Sequence, residues 1–157
     1  MKMRIRRYSP DDLKEIVQLF YDTVHSVNAK DYSEKQLNAW APGAVDEQAW
    51  NVSFLEHDTR VAVEDGRIIG FADMDASGYL DRLYVHKDCQ GKGVASALCD
   101  VLEQTARADC FVVHASITAR SFFEHRGYHV VKEQRVERRG EQLTNYVMMK
   151  EGFSKNF

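Results

Sequence analysis

The sequence predicts a mixed α/β domain of about seven mostly antiparallel strands with helices on both faces, and three stretches of its 157 residues carry that prediction. Arg60-Val61-Ala62-Val63 and Ile68-Ile69-Gly70-Phe71-Ala72 flank an Asp65-Gly66 dipeptide, the strongest short-range sign of an antiparallel hairpin. Tyr79 to Val85 runs into a glycine-rich turn, then a helical pattern through Val94, Ala97, Leu98, Val101 and Leu102, then an apolar run from Cys110 to Ala115, which reads as strand, helix, strand. Leu13, Ile16, Val17, Phe20 and Val24 recur at the spacing of one helix face.

The remaining elements fall into order around these. Arg4 to Arg7 is a short first strand, and Ser9-Pro10-Asp11-Asp12 supplies an N-cap, a proline at the first helical position and acids at the positive end of the dipole, so the first helix is expected from Pro10 to about His25. Ser33-Glu34-Lys35-Gln36 resembles a capping box and opens a shorter helix with Leu37 and Trp40, ended by Pro42-Gly43; a further helical piece is expected from Asp46 to Leu55. In the strand from Tyr79, alternation puts Leu83 and Val85 on one face and Tyr84 on the other. Ala119, Phe122 and Phe123 lie on a helix stopped by Gly127, and strands follow near His129 to Arg135 and Thr144 to Lys150. No repeat or linker interrupts the series, so residues 1–157 are expected to form one domain.

Composition narrows the function. The net charge of −3 argues against a broad basic surface, hence against nucleic acid as partner. No signal-peptide pattern or transmembrane run is present, so a cytoplasmic address is expected. Cys89, Cys99 and Cys110 lack CxxC spacing and read as reduced thiols. The six histidines form no HxxxH or HExxH pair, and no metal is assigned.

The chemistry begins at Gln90-Gly91-Lys92-Gly93-Val94-Ala95-Ser96. A strand entering this turn and leaving it as a helix aims several backbone N–H groups from the positive end of the dipole, which suits an anionic phosphate; a tight strand-to-helix connection would use the same glycines. The turn lacks the G-x-x-x-x-G-K-[ST] of a phosphate-binding loop and the third glycine of a dinucleotide fingerprint. It resembles the Gln/Arg-x-x-Gly-x-Gly/Ala signature of GNAT N-acetyltransferases, with Gln90, Gly93 and Ala95 at the defining positions. Leu83-Tyr84-Val85 looks like that family's fourth-strand ending, and Ala119 to Tyr128 looks like its late helix, so the resemblance extends from about Arg4 to Lys150.

The resemblance implies an acetyl-CoA cosubstrate whose pantetheine pairs with exposed backbone of Leu83 and Val85 and whose pyrophosphate rests on the amides from Gly91 to Ser96, with Tyr84, Ser116 and Phe123 beside the cofactor. It implies acetyl transfer to a primary amine of a small molecule or peptide, by a monomer or a homodimer. An amine of lysine-like basicity is only about 0.04% neutral near pH 7, so a proton acceptor is required. The positions where relatives often carry a base on strand four hold Asp81 and Tyr79; Asp81 is the first choice, unless it serves only as a salt-bridge partner of Arg82. His114 is the second, with a structural role as its alternative. Many relatives have a tyrosine at position 123 that protonates the departing thiolate; Phe123 has no proton to give, leaving Ser116, Tyr84, Tyr128 or water, or a catalytically silent acyl-CoA sensor. A nucleotide-binding module is the alternative of a third class. The acceptor side is expected from the first helices and strand three, with His25, Tyr32, Trp40 and Tyr79 as wall residues for an apolar or cationic amine, unless the aromatics are simply core.

Overall fold

A computed structural model describes residues 2–153. The chain runs through β1 (Arg4–Arg7), α1 (Leu13–Ser26), α2 (Glu34–Trp40), α3 (Glu47–Glu56), β2 (Asp58–Glu64), β3 (Arg67–Met74), β4 (Tyr79–Val85), α4 (Val94–Ala106), β5 (Cys110–Ser116), α5 (Arg120–His125), β6 (His129–Arg138) and β7 (Glu141–Glu151). The seven strands form one sheet in the order β1-β2-β3-β4-β5-β7-β6, antiparallel except between β4 and β5.

Local chemistry accounts for most boundaries. The first helix opens with a 3-10 turn over Pro10–Asp12, so α1 itself begins at Leu13, later than the sequence suggests. The reason lies in Asp12, whose carboxylate accepts the Ser9 N–H at 2.9 Å and both terminal nitrogens of Arg6 at 2.8 and 2.9 Å, tying the turn to β1. Ser33 and Gln36 form the expected reciprocal cap of α2, at 2.8 and 3.2 Å, and Asp46 caps α3 through the Ala49 N–H at 3.0 Å. Asp65 and Gly66 both take positive φ, 52° and 75°, as the tight turn between β2 and β3 demands. Arg139 and Gly140 repeat this geometry between β6 and β7, and both strands run longer than the sequence indicates.

The sheet divides two cores. On one side Leu98 and Leu102 of α4 and Phe123 of α5 pack with Ile69, Leu80, Phe111 and Met148. On the other, Ile16, Phe20 and Val24 of α1, Leu37 of α2 and Phe54 of α3 pack with Val61, Phe71 and Leu143. Glu103 of α4 is buried and takes three partners, Tyr128 Oη at 2.8 Å, Arg126 at 3.0 Å and Lys150, so that its charge is paired inside the fold. Among the described residues no helix is long and apolar enough to cross a membrane.

The feature that shapes the site is the brief contact between β4 and β5. They pair at Tyr79↔Val112 and Leu80↔Val113 and nowhere further along. Gly78 closes this end: its carbonyl accepts the Val112 N–H at 3.1 Å, its φ is +97°, and a Cβ there would stand 2.6 Å from the Cys110 carbonyl oxygen. Gly78→Ala is therefore expected to cost about 2 kcal/mol, through backbone strain and steric overlap together. A thermal melt should fall by several degrees; an unchanged melt would refute the role assigned to Gly78.

Candidate functional site

Beyond Leu80 the two strands part, and β4 is also out of step with β3. The register jumps from Asp73↔Arg82 to Met74↔Leu80, so Asp81 is the extra residue of a bulge. The His86 N–H bonds the Ile69 carbonyl at 2.8 Å, which fixes the phase: Tyr84 directs its backbone groups toward β3, while Leu83 and Val85 direct theirs into the gap. The Val85 carbonyl is already engaged, accepting Thr23 Oγ1 at 3.1 Å and Gln90 Nε2 at 2.7 Å. What faces the gap is thus the Val85 N–H and both backbone groups of Leu83, less than the sequence reading had offered a ligand.

Gln90 folds back onto β4 and fastens the glycine turn to the strand end. Gly91 and Gly93 have φ of 72° and 81°, and a Cβ on either would meet nothing within 4 Å, so the glycines answer a need for left-handed backbone beside open space. Gly93 caps α4, whose first amides open onto a cavity of about 440 Å³. Gln90, Gly91, Gly93, Val94, Ala95 and Ser96 line one end of it, Leu83, Tyr84 and Val85 its flank, and Ser116 and Phe123 the opposite wall. Lys92 is exposed and is not part of the lining.

A second cavity of about 180 Å³ adjoins the first, and Trp40, Asp81, Tyr84, His114 and Ser116 line both. Tyr32 and Tyr79 belong to the smaller one. The Tyr32 hydroxyl is committed, donating to the Thr144 carbonyl at 2.7 Å and accepting the Ile117 N–H at 2.9 Å, so Tyr32 offers a ring face alone. His25 lies at neither cavity. Its Nε2 meets the Ala41 carbonyl at 2.7 Å and its ring stacks on Tyr21 at 4.2 Å, so it secures the end of α2 rather than standing at the site. The far wall comes from Val136, Arg138, Leu143, Thr144 and Asn145 of β6 and β7, where strand three was expected. The β6–β7 hairpin reaches this place because β7 pairs with β5 and is held to α2 by Gln36 on the Gln142 carbonyl and Arg139 on the Ala39 carbonyl.

The titratable groups divide between Asp81 and His114. Arg82 Nη2 takes one Asp81 oxygen, Oδ2, at 3.1 Å, so the salt bridge read as an alternative role for Asp81 is present. Arg82 itself meets Ser53 Oγ at 2.7 Å, the Trp50 and Phe54 rings at 4.9 and 4.6 Å, and Asp73 Oδ1 at 3.5 Å, while its Nη1 is buried without a hydrogen-bond partner. Asp73, fully buried, also meets His57 Nδ1 at 2.8 Å. Burial pushes the Asp73 carboxyl up against the opposing pull of His57 and Arg82, and the hydrogen bond to Asp73 raises His57. His57, Asp73 and Asp81 bring ligand-type atoms within 4.8 Å of one another, and the positive charge the two carboxylates face is the Arg82 guanidinium. This array escaped the sequence reading, although an aspartate inside the otherwise apolar β3 was its available sign. His114 is exposed, with its ring edge-on to Tyr79 at 5.2 Å. Partial desolvation, then Lys132, lowers its pKa below the ordinary value, and Asp81 opposes them, so the neutral imidazole prevails at neutral pH.

Of the four suggested sources of a proton for a departing thiolate, Tyr128 is removed, since its hydroxyl is bound to Glu103 and it lines neither cavity. Phe123 is 2% exposed and packs edge-on against Phe122 and Tyr128.

The family model of the acetyltransferase (GNAT) domain matches residues 28–150. The chain is 36% identical over 146 residues to the uncharacterized N-acetyltransferase YafP of Escherichia coli K12, covering 93% of this chain and 94% of that protein. Among solved structures it is similar to a GCN5-related N-acetyltransferase from Rhodopseudomonas palustris, with a TM-score of 0.90, 35% identity and coverage of 96% of this chain and 98% of that one. The fold also matches the PaiA N-acetyltransferase of Thermoplasma acidophilum in complex with coenzyme A, with a TM-score of 0.79, 17% identity and coverage of 96% and 99%. The chain belongs to the GNAT acetyltransferase family, and is an acyl-transferring enzyme.

Proposed function

We propose that this enzyme transfers the acetyl group of acetyl-CoA to the primary amine of a small molecule or peptide, with acetyl-CoA in the larger cavity and the amine in the smaller. One observation carries the reading: the two cavities share a wall formed by Asp81, Tyr84, His114 and Ser116, so a thioester and an amine entering from opposite sides would meet beside groups able to move protons.

The donor side fits its substrate on physical grounds. The amides of residues 91–96, at the positive end of α4, would receive the pyrophosphate, and Leu83 with the Val85 N–H would take the amide groups of pantetheine as a further strand. Phe123 would press on the acyl arm as an apolar wall. On the acceptor side, Tyr32, Trp40 and Tyr79 present ring faces suited to an apolar or cationic body, and Arg138 is the cation of that wall.

The nitrogen must lose a proton on its way to the amide. Asp81 has one oxygen bound by Arg82 and the other available, and the bulge turns it toward both cavities. We assign it as the base, directly or through water, with His114 in second place because its neutral form persists at working pH.

Two measurements test this reading. Gly93→Asp places a carboxylate where phosphate would bind, and should weaken CoA binding in calorimetry by about tenfold or more while the fold persists; unchanged affinity in a folded variant would count against the turn. Asp81→Asn should reduce the rate of thiol release from acetyl-CoA, across a panel of amines and short peptides, by about 10²- to 10⁴-fold with CoA affinity retained. The pH profile decides between the bases. A neutral His114 acting as base would give an acid limb below about pH 6.5 that vanishes in His114→Gln, because its pKa lies under the ordinary value. Full activity and an unaltered profile in Asp81→Asn would transfer the role to His114.

A further inference from the structure

When the nitrogen lone pair forms the new C–N bond, the C–S bond breaks and its electron pair stays on sulfur, a thiolate in need of a hydrogen-bond donor. Position 123 cannot provide one. Among the described residues, the hydroxyls lining the larger cavity are those of Thr23, Tyr84, Ser96, Ser116 and Thr118. Thr23 donates its proton to the Val85 carbonyl, Thr118 to Asp31 Oδ2, and Ser96 sits in the first turn of α4 and does not line the smaller cavity. Tyr84 and Ser116 remain, both on the wall shared with the acceptor cavity.

Tyr84 is the better placed chemically. Its oxygen accepts the Trp40 indole N–H at 3.2 Å, while no described protein atom accepts its own proton. A hydroxyl that receives a hydrogen bond is a stronger donor of its own, and a phenol is a far better donor than an alkyl hydroxyl. The ring cannot swing away, since Phe20 meets it edge-on at 4.9 Å and Phe71 lies at 5.6 Å. Relying on the cavity assignment made above, we propose that the Tyr84 hydroxyl donates the hydrogen bond received by the departing CoA sulfur, replacing the phenol that the chain lacks at Phe123. The proton given up by the nitrogen ends on sulfur as the free thiol, so charge and atoms balance.

Burial, opposed by the Trp40 hydrogen bond and Arg82, holds the Tyr84 phenol well above its ordinary pKa, so it stays a donor in alkaline solution. The charged and titratable groups around it are Asp81 and Arg82 on its own strand, Asp73 on β3 and His114 on β5, while α1 and α2 present Phe20 and Trp40.

The test needs no acceptor. A donor aimed at sulfur favours thiolate over thiol, so CoA should bind the wild-type protein about tenfold more tightly near pH 9.5 than near pH 7 by calorimetry. Desulfo-CoA, which has no thiol, should show no such gain and corrects for other ionisations. Tyr84→Phe should abolish the gain while CoA still binds, and Tyr84→Phe/Phe123→Tyr should recover part of it. Trp40→Phe removes the same indole hydrogen bond but keeps the phenol, and should keep most of the gain, which separates donation from packing. An equal gain in Tyr84→Phe, or its loss in Ser116→Ala instead, would overturn the proposal. Failure of CoA to bind the wild-type protein at all would overturn the cavity assignment, and this proposal with it.

Discussion

The parting of β4 from β5 is the constraint on which the rest of the structure depends. A central pair of strands would ordinarily hydrogen-bond along its whole length, because buried backbone groups left without partners are costly. Here the pairing stops after Leu80, and the sheet tolerates the gap because each strand has a partner on its other side, β5 along its whole length with β7 and β4 with β3 except at the bulge. The gap leaves backbone donors and acceptors of β4 turned toward a cavity. It also lets the larger cavity take lining residues from α4 on one face and from α1 and α2 on the other.

Keeping such a gap open requires rigid flanks. Gln90 and Thr23 close on the Val85 carbonyl from the glycine turn and from α1, bracing the free end of β4. On the next strand inward, Asp73 is buried beneath Arg82, and Arg82 in turn lies between Trp50 and Phe54 and reaches Asp81. A buried carboxylate removed from its cation would be strongly unfavourable, so this chain of charges stiffens the bulge and limits where the Asp81 side chain can point. The same arrangement brings Asp81, for all its short side chain, to the cavity wall, because the bulge sets its place.

The aromatic residues show how one patch of sequence serves two purposes. Phe20, Phe54 and Phe71 are core; Phe54 meets Phe71 edge-on at 5.9 Å, Phe20 and Phe71 meet Tyr84 at 4.9 and 5.6 Å, and the series continues through Tyr84 into Trp40 and Tyr32 at the cavity. The core thus supports the site directly, and the polar atoms of that series, Tyr84 Oη, Trp40 Nε1 and Tyr32 Oη, point away from the core to where partners exist.

By itself the sequence determined most of the elements and the glycine turn, because these rest on interactions spanning a few residues. The Ser33–Gln36 cap, the Asp65-Gly66 turn, the period of α1 and the left-handed glycines before α4 are each written in a short window. The alternation of β4 likewise assigned Tyr84 to the face opposite Leu83 and Val85 before any fold was known. Tertiary structure alone decided which side chains share the smaller cavity. Tyr32 meets the Thr144 carbonyl across 112 residues, Trp40 meets Tyr84 across 44, and the β6–β7 hairpin supplies a wall that no local signal attaches to α2. His25 and Tyr32, read alike in the sequence, part company in space: one secures a helix end and the other walls the cavity. The bulge at Asp81 has the same origin, since a register shift is a property of two strands together, and one strand's residues do not encode it.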